Sequence, residues 1–524
     1  MPVKNVVVVM FENRSYDNVL GWLYNASNQL PYQTPPAGQS NLDGLTGSET
    51  NPDPNHSGQT IPVANQTTPT QIGGSGPSYA PTAIPLIDPG EPFSDMAQQI
   101  MGSPSRPPEN PYAGYPPADT SSLNQGFTLN YAQISGPSQP YTPVPVSNIP
   151  DIMNYLTPSQ MPVSAFLASN YAVCDQWFAS APTQTYTNRS FALCAAPGVA
   201  HNGKYSLIDD LQYITDSLYP IPSLLSQLDA VLGSAGEGPF WKVYFQDYSV
   251  AVATVPQVAA AAASQHNVNL ATFDNSDWGA AKPKQLTSTT STFVEDLQAG
   301  SLPPFSFIEP RYFDSYAPTG LPAASNHPGR GKFPGGVLGA ATPIDASTGE
   351  VFLMQLYNLL QASPGWSETL LIVTYDEHGG VYDHVHPPIA VPPGGNIPPA
   401  NNILDKAADG FNYNVLGGRV PAIIVSPLIA PGTTIRAAPA NVIEPPPGKA
   451  FFDHSSIIRT TWDIFGLSAG SHGLPSLTGR DLVAPSLAAL LTSQPSNTTG
   501  AMCGVIVAGA RSLTFTHKHL LPGT

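Results

Sequence analysis

The sequence predicts an α/β protein in which buried strands alternate with amphipathic helices. Three observations lead there. Val6 to Met10 reads VVVVM, a run with no polar alternation, the pattern of a strand covered on both faces. The same pattern returns in Leu370 to Thr374, LLIVT, and in Val420 to Pro427, VPAIIVSP. Between such runs, segments such as Glu350 to Gln361 repeat apolar residues at helical spacing through Phe352, Leu356, Leu359 and Leu360. Strands alternating with helices in this way build a largely parallel or mixed sheet.

Taken in order, the first strand runs into Glu12-Asn13 and then a short amphipathic helix over residues 17–30. From Leu30 to Pro150 the chain is rich in Pro, Gly, Ser, Thr and Asn, with scattered aromatic residues and a helix predicted at Pro92 to Met101. These favour a folded insertion over a linker. Globular patterning resumes at Asp151. Ala181 to Ala196 reads as a polar loop opening an apolar helix. Helices are expected over 206–235 and 257–265, and strands over Phe240 to Phe245 and Phe305 to Glu309. A Gly- and Pro-rich loop follows from Tyr316 to Thr348. Phe451 to Phe465 is a polar loop leading into an amphipathic helix.

Composition narrows the partners. Of the 524 residues only 10% are charged and the net charge is −17, with 59 prolines and 45 glycines. No basic stripe exists, which excludes nucleic acid as a partner and weakens docking on anionic lipid. Zwitterionic lipid stays open as a peripheral contact. The longest apolar runs fall short of a membrane span. Three cysteines, Cys174, Cys194 and Cys503, make neither a disulfide framework nor a zinc motif, although one pair could bond. The start has no signal-peptide pattern. A cytosolic protein, export by another route and a mature secreted form all remain open.

The chemistry lies at strand ends. Glu12 and Asn13 follow the first buried strand, and Asp376 and Glu377 follow the strand at 370–375. Ligands of open α/β sheets bind outside the carboxyl ends of strands. These four residues offer oxygen, so they suit one hard divalent cation such as Ca, Mg or Mn, with Zn also admitted. Thr185 lies three residues before Asn188-Arg189, at a predicted helix start where the macrodipole favours an anion. That makes it the nucleophile candidate, against the plainer reading of an N-cap. His327, His378, His384, His386 and His454 sit in loops beside Asp, Asn or Pro and are candidates for phosphate contact or proton transfer.

Seven stretches occur in one order: ENRSYDNVLG, WFASAPTQTYTNRS, IEPRYF, SNHP, YDEHGGVYDHVHPP, RVPAIIVSP and FDHSSIIR. Together they closely resemble the phosphoesterase family of nonspecific phospholipases C and acid phosphatases, related in fold to alkaline phosphatase. The likeness runs from residue 5 to about residue 467. It implies a three-layer α/β/α sandwich around a mainly parallel sheet, within one catalytic domain over 1–470. Residues 30–150 would be an insertion near the active site, and 471–524 an extension packed on the same domain. It implies metal ligation by Glu12, Asn13, Asp376 and Glu377, Thr185 as nucleophile, His327 at the phosphate, and substrate contacts from Asn13, Asn188 and His384. The activity implied is metal-dependent hydrolysis of phosphate esters through a phosphothreonine, phospholipase C-like on phospholipid head groups. An acid phosphatase acting on monoesters and a non-catalytic binding protein on the same scaffold are the alternatives. One departure stands out. The family often reads Asp-Pro-Gly-His where this chain has Asp88-Pro89-Gly90-Glu91, so a carboxylate, Glu91, faces the substrate in place of an imidazole.

Overall fold

The VVVVM run becomes the centre of the molecule. A computed structural model describes the chain except for residues 1, 22–41, 135–142, 199, 202–203, 206–220, 234–237, 264–268, 274–290, 314–321, 330–342, 396, 398, 401–405, 439–441, 448, 468–473 and 503–524. Its main sheet has eight strands: β1 (Asn5–Phe11), β2 (Ala172–Cys174), β3 (Trp241–Phe245), β4 (Leu270–Thr272), β5 (Phe305–Glu309), β6 (Thr369–Tyr375), β7 (Ala422–Val425) and β8 (Thr433–Ile435). Their spatial order is β8-β2-β7-β6-β1-β5-β3-β4. All pairings are parallel except those of β7, which runs antiparallel to both β6 and β2. With β5 on one side and β6 on the other, Val6 to Val9 are fully buried, which is why this strand carries no polar alternation.

Seven helices bear on the site: α1 (Phe93–Met101), α2 (Phe127–Gln133), α3 (Pro162–Asn170), α4 (Thr185–Cys194), α5 (Val250–Thr254), α6 (Ala346–Ala362) and α7 (Ser455–Phe465). They fall into three packed groups, α1 with α2, α3 with α6, and α4 with α5 and α7. Helical layers thus flank a mainly parallel sheet, the α/β fold the sequence predicts. Buried Glu350 on α6 fastens one layer together. It accepts the Val163 and Ser164 backbone N–H groups, satisfying donors that the start of α3 would otherwise leave bare.

The Pro-rich stretch is folded where it is described. Its Thr50–Pro52 and Thr60–Pro62 strands and α2 accompany a separate apolar core that includes Ile84, Ile87, Phe127, Tyr131 and Ile152, while α1 packs Phe93 and Met96 into another with Tyr112 and Phe411. Val381 and Tyr382, from the loop after β6, belong to this same core, so the insertion is packed beside the carboxyl end of the sheet. Near the other terminus, Leu487, Ala488 and Met502 join the main core. Cys174 and Cys194 are buried free thiols.

One element differs from expectation. Instead of an amphipathic helix over 17–30, the described part is a five-residue π-type turn, Asp17–Gly21, and residues 22–30 lie outside the described chain. Its polar residues face inward. Asp17 pairs with Arg419 and His384, and Asn18 donates to the Asn154 carbonyl. All five described residues, Asp17 to Gly21, are buried, so this part has no solvent face for a helical periodicity to follow.

Phe307, fully buried in β5 beside β1, measures this core. Its replacement by Ala should lower unfolding free energy by about 3–5 kcal/mol, seen in urea as an earlier midpoint with unchanged slope.

Candidate active site

The register of β1 on β6 creates the site. Phe11 lies opposite Tyr375, and the ladder continues as the Asp376 N–H donates to the Phe11 carbonyl at 3.1 Å. Glu12 and Asn13 therefore leave the sheet beside Asp376 and Glu377. The chain then turns sharply on both strands. Asn13 adopts a left-handed conformation with φ 58°. Gly379, at φ 65°, lets the second loop fold back, and a Cβ there would lie 2.1 Å from the Asn13 carbonyl oxygen.

Asn13 is the hub. Its backbone N–H donates to Asp376 Oδ1 at 3.0 Å. Its amide nitrogen donates to Glu377 Oε1 at 2.8 Å and to Glu91 Oε1 at 2.6 Å. The Thr185 hydroxyl, on the first residue of α4, faces Asn13 Oδ1 at 3.4 Å. His327 approaches from a third direction, with Nε2 at 3.5 Å from Glu91 Oε1 and Nδ1 at 3.8 Å from Asp88 Oδ1. His327 Nδ1 also lies 2.7 Å from the Pro328 carbonyl, which places a proton on that nitrogen and turns Nε2 toward the cluster. Seven expected residues, Glu12, Asn13, Glu91, Thr185, His327, Asp376 and Glu377, thus surround one place.

Two expected residues sit otherwise. Asn188 is fully buried, and its amide binds the carbonyls of Ala181, Thr183 and Gln184 and the N–H of Ala181. It shapes the loop that presents Thr185. His384 lies between Asp17, at 2.7 Å, and Asp43, at 3.1 Å, beside Arg419. Asp17, Asp383 and His384 could hold a cation by geometry, but Arg419 already pairs with Asp17 and Asp383 there.

The electrostatics follow from burial. Glu12 is 5% exposed, and Asp376 and Glu377 are fully buried. Desolvation and then the neighbouring Asp376 charge push the Glu12 carboxyl up to about 8, against the pull of Arg189 and His327. Burial likewise raises Glu91, and burial followed by repulsion from Glu91 raises Asp88. Burial alone would lower the His327 imidazole, but Glu91, Asp88 and Glu12 together outweigh it and hold it up to about 9. Carboxylate oxygens therefore outnumber the cations facing them. A buried, oxygen-rich set with this charge excess suits a divalent cation, and among the described residues here Asp88, Glu91 and His327 bring ligand atoms within 4.8 Å of one another.

A profile of the phosphoesterase family matches residues 3–468. The chain belongs to the phosphoesterase family. It is a hydrolase acting on phosphoric ester bonds. It is 31% identical over 472 residues to non-specific phospholipase C6 of Arabidopsis thaliana, covering 89% of this chain and 69% of that one. It is 27% identical over 438 residues to phospholipase C A of Mycobacterium tuberculosis, covering 81% and 68%. Among solved structures, a protein of the alkaline phosphatase superfamily from Vibrio parahaemolyticus aligns with a TM-score of 0.31 and 13% identity over 62% of this chain and 64% of that one.

In this cluster, sequence reasoning gave Arg189 no role of its own. Its side chain is 1% exposed. Nε donates to Asp376 Oδ2 at 3.0 Å, while NH2 reaches the Met10 and Phe11 carbonyls at 3.2 Å and Glu12 Oε1 at 3.4 Å. Glu309 at the end of β5 lies 3.7 Å from NH1, and Tyr312 lies under the guanidinium. One residue thus ties the helix bearing Thr185 to both acidic strand ends. A usable signal was its scarcity, since the chain has only 19 Lys and Arg and this one directly follows Asn188. His454 is a second supporting residue. Its Nε2 donates to the Asp376 carbonyl at 2.6 Å, and its Nδ1 accepts from Trp177, which fixes a neutral imidazole.

The remote cluster gives a pH test. Burial would lower His384, but Asp17 and Asp43 outweigh it and raise the imidazole from 6.5 to about 10. Its charge therefore stabilises the fold fully below pH 6.5, and that contribution fades as pH rises through about 10. A His384→Asn variant should be destabilised most at pH 6 and approach wild type near pH 10, read from urea unfolding across that range.

Proposed function

We propose that this phosphoesterase cleaves phosphodiesters in the manner of a phospholipase C, through a covalent phosphothreonine at Thr185. The observation that carries the reading is the position of the Thr185 hydroxyl. It stands at the start of α4, 3.4 Å from Asn13 Oδ1, on a helix that Arg189 locks to Asp376 and Glu12. A hydroxyl there meets the helix N-terminus on one side and the residues that would hold a cation on the other.

The Thr185 hydroxyl releases its proton to solvent and its oxygen attacks phosphorus, forming the Thr185 O–P bond as the bond from phosphorus to the leaving alcohol breaks. His327 is a charged imidazole at neutral pH, and its Nε2 faces the cluster, so it donates the proton that the departing alcohol needs. Water then cleaves the phosphothreonine and restores the hydroxyl. When bound, a divalent cation lowers the cost of the alkoxide and offsets phosphate charge. The names of the relatives, phospholipases C, support a phospholipid diester as substrate. No helix among the described residues is long and apolar enough to cross a membrane, so a lipid substrate would be met peripherally.

A panel of choline and ethanolamine phosphodiesters against monoesters, each with and without chelator, tests substrate and metal together. Diester turnover that chelator abolishes is expected, whereas monoester preference or chelator-resistant turnover would overturn the corresponding part. Thr185→Ala should remove nearly all turnover and keep metal binding, and Thr185→Ser should retain a fraction. Rapid quench with phosphorus-labelled substrate should place label on Thr185, while full activity of the Ala variant ends the reading.

A further inference from the structure

We propose that Arg14 is a positioning residue for the reaction, acting through His327, whose direction toward the phosphate it fixes. This rests on the reading of His327 as the residue that meets the leaving group. Arg14 directly follows Asn13 and is fully buried. Its partners are neutral. Nε donates to the Asn326 carbonyl at 2.8 Å, and NH1 donates to the Ile84 carbonyl at 2.5 Å and to Asn18 Oδ1 at 3.2 Å. Among the described residues no carboxylate pairs with it, and its NH2 has no hydrogen-bond partner. Burial holds its pKa down to about 10, which reflects the cost of keeping this charge away from water. A buried guanidinium with no paired carboxylate, steadied only by the charges of Tyr375 and Asp345, is a poor device for stability alone. Its fork geometry is what the place uses.

The two carbonyls it grips belong to the two segments that complete the site. Asn326 precedes His327 and is left-handed, with φ 72°. Its side chain donates to the Tyr375 hydroxyl at 2.8 Å and lies so close to Gly349 that a Cβ there would be 2.0 Å from Oδ1. With carbonyl and side chain both held, Asn326 sends the next residue, His327, in one direction. Ile84 opens the stretch that leads to Asp88 and Glu91. That stretch and the His327 turn are clasped together, because the Gly329 N–H donates to the Pro85 carbonyl at 2.9 Å and a Cβ on Gly329 would lie 2.2 Å from the Asp88 nitrogen. Arg14 therefore bolts the clasped pair to the residue beside Asn13. Lys keeps the charge and loses the fork, so it cannot hold both carbonyls in this geometry. Displacements near 1 Å at a reacting group can cost about a hundredfold in rate.

The test is a double-mutant cycle on p-nitrophenyl phosphorylcholine, with histidine-ε1-13C NMR alongside. Arg14→Lys should lower kcat by about tenfold or more and change KM by less than about twofold. In a His327→Ala background the same change should cost less than about twofold, because the positioned group is gone. Among the 11 histidines, the His327 resonance should move in Arg14→Lys while those of His384 and His454 stay. Equal losses in both backgrounds, an unchanged kcat in the single variant, or an unmoved His327 signal would overturn the proposal. A wild-type protein without turnover on any phosphate ester would instead defeat the proposed reaction, and the NMR comparison would still decide whether Arg14 sets His327.

Discussion

The structure depends on the in-register parallel pairing of β1 with β6. With Phe11 opposite Tyr375, two acidic sequences leave the sheet at the same level and in the same direction. Like charges are thereby brought together where water is scarce, a costly arrangement that calls for compensation. Arg189 supplies part of it by reaching Asp376, Glu12 and the two carbonyls that end β1. Burial, then the Asp376 charge, pushes Glu12 up to about 8, and Glu91, Asp88 and Glu12 hold His327 up to about 9. A bound cation would relieve such an excess.

The compensation also organises the surrounding chain. Arg189 cannot face both strand ends unless α4 lies across them, and that placement presents Thr185 to Asn13. Asn188 holds the preceding loop, so the hydroxyl sits on a fixed backbone. Two left-handed asparagines, Asn13 and Asn326, mark where the chain must turn from strand to site. Such conformations cost of order 1 kcal/mol each and persist where surrounding contacts over-determine them. Here those contacts are Asp376, Glu91 and Glu377 for the first, and Arg14 and Tyr375 for the second.

With 10% charged residues, the chain places many of its charges inside. Arg14, Arg189 and Arg419 are among its largest fully buried side chains. Arg419 does for Asp17 and Asp383 what Arg189 does for the active-site carboxylates, anchoring the loop after β6 to the turn after β1. The insertion's apolar core closes over the same loop through Val381 and Tyr382. The loop that carries Glu377 is thus held by charge on one side and by apolar burial on the other.

The sequence by itself determined the α/β class, the central strand, and the acidic strand ends, because doubly covered strands write unbroken apolar runs and their ends are abrupt. It also marked Thr185 and His327 through local motifs that resemble a family. Only tertiary structure decided that Glu91, 78 positions from Asn13, touches its amide, and that His384 turns away into a cluster with Asp17 and Asp43. The described part of the helix expected after β1 is a π-type turn with its polar residues turned inward, since Asp17 and Asn18 answer to distant partners. Arg14 and Arg189 were legible as motif letters and illegible as contacts. A side chain's hydrogen bonds to backbone carbonyls leave no pattern along the chain, because every residue supplies the same carbonyl and only the fold selects which one is near.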